Sequence, residues 1–228
     1  MIAGLLLAAG AACGRGERPA PAPSPRAALT PAPAAGARAV LFLGTSLTAG
    51  LGVAPEEAYP ALVQQRIDAA GLDYRVVNAG LSGETSAGAR RRVDWVLARP
   101  VSVLVVETGA NDGLRAQDVA ATRENIDAII ERAQRATPPP QVVLVGMQAP
   151  ANYGADYARR FRALYPALAA RHHLPLVPFL LEGVAGVAAL NQADGIHPTP
   201  EGHRLMAETV WKVLGPLLRA DAARRPGG

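Results

Sequence analysis

Residues 39–47 read AVLFLGTSL, an apolar run from Ala39 to Gly44 followed by Thr45, Ser46 and Leu47. Unbroken Val, Leu and Phe, without polar alternation, suits a strand buried on both faces, as in a parallel sheet. The same signature recurs at Tyr74–Asn78 (YRVVN), Val101–Thr108 (VSVLVVET), Gln141–Met147 (QVVLVGM) and Leu174–Phe179 (LPLVPF). Amphipathic stretches lie between these runs near 56–70, 84–98, 118–136 and 155–172. A last one near 200–218 opens with Thr199 and Pro200, an N-cap followed by a first-turn proline. Strands alternating with helices of this length predict a three-layer α/β domain over residues 39–219.

The flanks differ. Residues 1–13 (MIAGLLLAAGAAC) form a short apolar stretch that reads as an export signal without its usual basic start. Small residues ahead of Cys13 resemble a bacterial lipoprotein signal, in which that cysteine carries the lipid; simple cleavage, or no processing at all, are the alternatives. Residues 14–38 are rich in Pro, Ala and Arg, a composition expected of a disordered, semi-stiff spacer. Residues 220–228 read as a disordered tail. Together these features predict an exported bacterial protein, periplasmic or held at a membrane as a lipoprotein.

Composition excludes several classes. Of 228 residues 50% are apolar, too many for wholesale disorder. One cysteine leaves no disulfide framework and no cysteine-rich zinc module. A formal charge of +4 does not call for nucleic acid, and no glycine-rich phosphate motif is present. Arg90, Arg91 and Arg92 read as a solvated helix face. His172 and His173 read as helix-end residues favoured by the dipole.

In open α/β sheets, ligands sit beyond the carboxyl ends of the strands. The loops there carry Gly44-Thr45-Ser46-Leu47, Asn78 through Thr85, Thr108 through Gly113 and, before the last helix, Asp194-Gly195-Ile196-His197-Pro198. Together they hold every part needed for acyl transfer through a serine. Ser46 is the candidate nucleophile. His197 is the candidate base, since imidazole accepts protons near neutrality. Asp194, three residues earlier in a glycine-containing turn, can hold the imidazole in one tautomer. The backbone N–H groups of Ser46 and Gly83 and the amide of Asn111 are candidate oxyanion donors. Each residue taken alone has a duller role as a cap, a turn former or a structural histidine. Four separate loops each supplying a different required part is what favours catalysis. A metal site built from Asp194, His197 and His203 competes poorly, because His203 falls inside the last helix.

The chain also resembles the SGNH/GDSL hydrolase superfamily. Gly44-Thr45-Ser46-Leu47 is similar to its first block, and Gly83, Asn111 and Asp194-x-x-His197 match the remaining blocks in order. Within the superfamily, Val77-Asn78-Ala79, Ser82 through Ser86, Asn111 through Arg115, Pro150 through Gly154 and Asp194 through Pro198 resemble the thioesterase I/lysophospholipase L1/arylesterase group. The resemblance spans roughly residues 39–218. It implies a flavodoxin-like fold with a five-stranded parallel sheet, Ser46, His197 and Asp194 as the catalytic residues, and Ser46, Gly83 and Asn111 as the oxyanion hole. It also implies that no metal or organic cofactor is needed, and places Leu114 and Arg115 where related enzymes shape the acyl pocket.

The pattern departs from the family at Thr45, where Asp is usual, and at Glu84, where Asp is common. A threonine hydroxyl bonds without charge, and charge-assisted bonds are about twice as strong, so a less firmly held nucleophile loop is expected. The reading that results is a serine ester or thioester hydrolase. It would act as a monomer on a small-molecule substrate, with possible membrane attachment through a lipidated Cys13 and no nucleic acid partner. A carbohydrate O-acetyl esterase of the same fold, or a catalytically silent surface-anchored binding module, are the alternatives.

Overall fold

The computed structural model describes residues 38–224. Five strands, β1 (Arg38–Gly44), β2 (Tyr74–Gly80), β3 (Val103–Glu107), β4 (Gln141–Val145) and β5 (Leu176–Val177), form one sheet in the order β2-β1-β3-β4-β5. Every pairing is parallel. Seven helices join and follow the strands: α1 (Ser46–Ala49), α2 (Tyr59–Ala69), α3 (Ser86–Val96), α4 (Ala110–Leu114), α5 (Val119–Gln134), α6 (Ala155–His172) and α7 (Pro200–Arg224). The helices pack in two groups, α2 with α7, and α3 with α5 with α6. This is the expected three-layer α/β architecture, with the five parallel strands that the resemblance implied.

The apolar runs end up where their composition requires. β3 is buried at all five positions, and β4 at every position after Gln141. Burying one Val or Leu side chain contributes about 1.5–3 kcal/mol, so the centre of the sheet is its firmest part. On α5, Val119, Thr122, Ile126, Ile129, Ile130 and Ala133 are buried at helical spacing. Asp118 caps that helix by accepting from the Ala121 N–H at 2.8 Å. Thr199 caps α7 by accepting from the Gly202 N–H at 3.4 Å.

Three boundaries move. Arg38, assigned above to the spacer, is the first residue of β1 and pairs with Tyr74. The expected tail from residue 220 is helical to Arg224. The cause is Asp221, buried in α7, whose carboxylate accepts from the Tyr74 hydroxyl at 2.6 Å, from Arg38 at 3.2 Å and from Gln141 at 3.1 Å. β5 is two residues long instead of six, because Pro175 and Pro178 flank it and neither can donate to a ladder. The export stretch, the spacer and Cys13 lie outside the described residues, as do residues 225–228. Among the described residues no helix is long and apolar enough to cross a membrane.

The strand order reverses direction at β1, with β2 on one side and β3 on the other. The crevice beyond such a switch point is where open α/β sheets place their ligands. Ser46 follows β1 and Asn111 follows β3, so the topology alone sets the two on either side of it.

Candidate active site

Gly44 ends β1 and Gly80 ends β2, paired side by side. Both must be glycine. A Cβ at Gly80 would lie 2.2 Å from the Ala49 nitrogen, and one at Gly44 would lie 2.0 Å from Thr48 Oγ1. The missing side chains let the chain turn sharply into α1 and pack that single turn onto the end of β2. Asn78 fastens it, donating its amide to the Thr48 carbonyl at 2.8 Å. Ser46 is the first residue of α1 and only 8% exposed.

The second half comes from the loop before α7. The Gln192 N–H donates to the His197 carbonyl at 2.7 Å, and Gly195, at φ +70°, donates back to Gln192 at 2.8 Å. The resulting turn lets Asp194 reach its own neighbours. Its Oδ1 accepts from the Ile196 N–H at 2.9 Å and the His197 N–H at 3.0 Å, and its Oδ2 meets His197 Nδ1 at 2.6 Å. The backbone N–H and ring of His197, then the Ile196 N–H, hold the Asp194 carboxyl well below the usual carboxylate range. On the opposite side of the imidazole, Nε2 lies 2.9 Å from Ser46 Oγ. The Gln192 amide joins the two halves, donating to the Leu51 carbonyl at 2.8 Å and the Pro198 carbonyl at 2.9 Å.

Ser46, Gly83, Asn111 and His197 all line one cavity of about 670 Å³. Gly83 has φ +77°, a conformation that disfavours any side chain. The Asn111 amide donates one hydrogen to the Glu84 carbonyl at 3.0 Å; a primary amide has a second to offer. The cavity's other walls are mainly apolar and include Leu47, Leu51, Leu114, Met147, Phe179 and Ile196. Arg115 is absent from the lining and instead donates to the Gly83 carbonyl at 3.2 Å. The Pro150–Gly154 stretch supplies Pro150 to the wall, and Tyr153, whose hydroxyl donates to the Leu114 carbonyl at 2.7 Å.

Two expectations change. The Thr45 hydroxyl is not weakly placed: it donates to the buried carboxylate of Glu107, at 3.0 Å from Oε2 and 3.1 Å from Oε1. The Thr45 side chain is thus anchored on an acid at the end of β3. Arg92, read with Arg90 and Arg91 as a solvated face, is turned inward. It donates to both carboxylate oxygens of Glu84, at 2.7 and 2.6 Å, and to the Ala79 carbonyl at 2.8 Å. Arg92 thereby ties the end of β2 to the Gly83–Glu84 turn, while Arg90 and Arg91 remain exposed.

Other candidates separate from this centre. His203 is buried in α7 and its Nδ1 accepts the Tyr59 N–H at 3.2 Å. Among the described residues no three His, Cys, Asp or Glu side chains are grouped to hold a metal. His172 pairs with Asp127 at 2.5 Å, away from the cavity. The reading of motifs missed Glu107, although an acid closing a strand that is otherwise Val and Leu is a visible signal. It also missed the cavity wall built by residues 179–186, which has no motif.

The comparisons with known proteins agree with one another. Residues 42–205 match the model of the GDSL-like lipase/acylhydrolase family. The chain is 43% identical over 185 residues to esterase TesA of Pseudomonas aeruginosa, covering 81% of this chain and 91% of that protein. It is 37% identical over 190 residues to thioesterase 1/protease 1/lysophospholipase L1 of Escherichia coli K12, covering 82% and 88% respectively. A crystal structure of TesA superposes with a TM-score of 0.75 at 41% identity, covering 79% of this chain and 99% of that one. The chain belongs to the GDSL-like lipase/acylhydrolase family and is a carboxylic ester hydrolase.

Proposed function

We propose that the chain hydrolyses acyl esters and thioesters through an acyl-enzyme on Ser46. The observation that carries this reading is the continuous relay from Asp194 through His197 to Ser46, opening on a cavity with mainly apolar walls. Ser46 Oγ attacks the carbonyl carbon while its proton passes to His197 Nε2. Asp194 holds Nδ1–H and steadies the imidazolium. The carbonyl oxygen becomes an oxyanion, received by the N–H groups of Ser46 and Gly83 and by the Asn111 amide. On collapse the C–O or C–S bond breaks, and the leaving alkoxide or thiolate takes the proton from His197. Water then gives a proton to His197 as it attacks the acyl carbon. The C–O bond to Ser46 breaks, and Ser46 recovers its proton as the acid leaves. Each oxyanion donor is worth about 2.7–4 kcal/mol of barrier lowering.

The apolar walls favour acyl or aryl groups over acetylated sugars. Relatives named esterase and thioesterase 1/lysophospholipase L1 support the same side. The stretch ending at Cys13 supports an exported enzyme tethered outside the cytoplasm. The test is turnover of a panel of p-nitrophenyl esters, acyl thioesters and acetylated sugars by wild type, Ser46→Ala and His197→Ala. The two variants are expected to lose activity, and the panel to favour acyl and aryl substrates. Undiminished turnover by Ser46→Ala would overturn the nucleophile assignment, and preference for acetylated sugars would overturn the substrate class. Mass analysis of the native N-terminus tests the tether.

A further inference from the structure

Glu107 closes β3 with no exposed surface. Its Oε2 accepts from the Thr45 N–H at 2.8 Å, the Thr45 hydroxyl at 3.0 Å and the Thr48 hydroxyl at 2.8 Å. Thr45 immediately precedes Ser46 and Thr48 follows two residues later. Both therefore turn inward from the loop onto one oxygen. The Tyr59 hydroxyl lies 2.7 Å from Thr48 Oγ1. Because Thr48 gives its only proton to the carboxylate, Tyr59 is the donor in that pair, and the chain of bonds reaches α2. Gly44 completes the fit, since a Cβ there would come within 2.7 Å of Glu107 Oε2.

Such an arrangement is costly as architecture alone. A carboxylate moved out of water is penalised unless it is hydrogen-bonded, and burial pushes the Glu107 carboxyl up to about 7 against the lowering effect of its Thr45 and Thr48 partners. Valine, which fills three of the four preceding positions of the strand, would avoid the cost. What valine would not do is fix the backbone on both sides of the nucleophile.

We propose that Glu107 is a positioning residue: it anchors Thr45 and Thr48 so that Ser46 Oγ is held within bonding distance of His197 Nε2. The anchor acts through the backbone of the α1 turn and touches no substrate. This rests on the reading of Ser46 as nucleophile.

The experiment measures kcat and KM on a soluble aryl ester for wild type, Glu107→Gln, Thr45→Val and Thr45→Ser. A fluorophosphonate counts reactive Ser46 in each, so that misfolded protein does not enter kcat. A misplacement of order 1 Å can cost ~10²-fold in rate. Glu107→Gln is therefore expected to lose about tenfold or more in kcat per reactive site, with KM within about twofold. Thr45→Val is expected to lose at least about threefold by the same measure, and Thr45→Ser to restore most of that loss. A Glu107→Gln kcat per site within about twofold of wild type overturns the proposal. If Glu107→Gln does not fold, the threonine pair decides: equal kcat per site for Val and Ser overturns it. Active Ser46→Ala, or no label at Ser46, sinks the nucleophile reading instead, so the two failures are distinct.

Discussion

Asp194 gives its two oxygens to His197 in different ways: Oδ2 meets the imidazole Nδ1 at 2.6 Å, while Oδ1 accepts the backbone N–H of the same residue at 3.0 Å. One side chain thus fixes both where the His197 ring sits and which of its nitrogens carries the proton. Asp194→Asn separates these tasks. The amide oxygen can still accept from the backbone, but its NH₂ then faces Nδ1 and forces the proton onto Nε2. In that tautomer His197 cannot accept from Ser46. Loss of kcat by about 10²–10⁴-fold is expected, the upper figure being the effect of the same change in chymotrypsin-type enzymes, with little change in melting temperature. Steady-state kinetics beside thermal unfolding checks it, and a kcat within about tenfold of wild type would contradict this role for the carboxylate.

Gly83 is held at φ +77°, and a Cβ there would meet only Arg115 Nη2, at 3.9 Å. Space is therefore available, and conformation is the obstacle. Gly83→Ala is expected to add about 1–2 kcal/mol of local strain. Relief of that strain is expected to tilt the Gly83 N–H, the proposed oxyanion donor, out of line. kcat should fall further than stability does, and comparing the two losses in one preparation distinguishes a displaced donor from general damage.

His203 is 1% exposed, and burial pushes its imidazole down to about 4 from an ordinary 6.5. The unfolded chain therefore binds this proton more readily than the folded one. Stability is intact above pH 6.5, declines as pH falls below that value, and stops declining through this group below about 4. Each pKa unit is worth 1.36 kcal/mol, so about 2 kcal/mol is lost between pH 7 and pH 5. Glu107, pushed up to about 7 from an ordinary 4.5, acts in the opposite sense over the same interval, so the readout is the comparison of the two proteins: on going from pH 7 to pH 5, His203→Gln should keep about 2 kcal/mol more of its stability than wild type in denaturant unfolding. Equal slopes in the two proteins would refute the assignment.

Asp221 joins α7 to β1, β2 and β4 through Arg38, Tyr74 and Gln141. A chain ended after residue 219 would strip those partners of their acceptor. An unsatisfied buried polar group costs about 1–3 kcal/mol, so the shortened chain should melt several degrees lower. Asp221→Ala in the full chain should reproduce most of the loss. Unchanged melting in both would mean that the last turn of α7 carries no load.

What the sequence made legible, and what it concealed, follows from the range of each interaction. The strands of Val and Leu and the parts at their ends are local signals, readable from a few neighbouring residues. Glu107 is not local, since its partners Thr45 and Thr48 lie 62 and 59 positions away. Nor is Arg92, which looks like its exposed neighbours Arg90 and Arg91 until the fold shows which side of α3 faces Glu84. Asp221 looked like a polar residue in a fraying tail because its partners lie in three different strands. The length of β5 was legible in principle, since Pro175 and Pro178 each remove a donor, but the apolar run concealed it.

Ser46 and His197 stand 151 positions apart, and the loop bearing His197 is braced by Gln192 against Leu51 and followed at once by α7, which packs on α2. Synthesis from the N-terminus therefore delivers the hydroxyl early and the imidazole near the finish. Until some two hundred residues have been made and the final helix has docked, Ser46 has no imidazole beside it. Completion of the chain is thus a condition for the Ser46–His197 contact, since neither residue has the other as a neighbour until the last helix is in place.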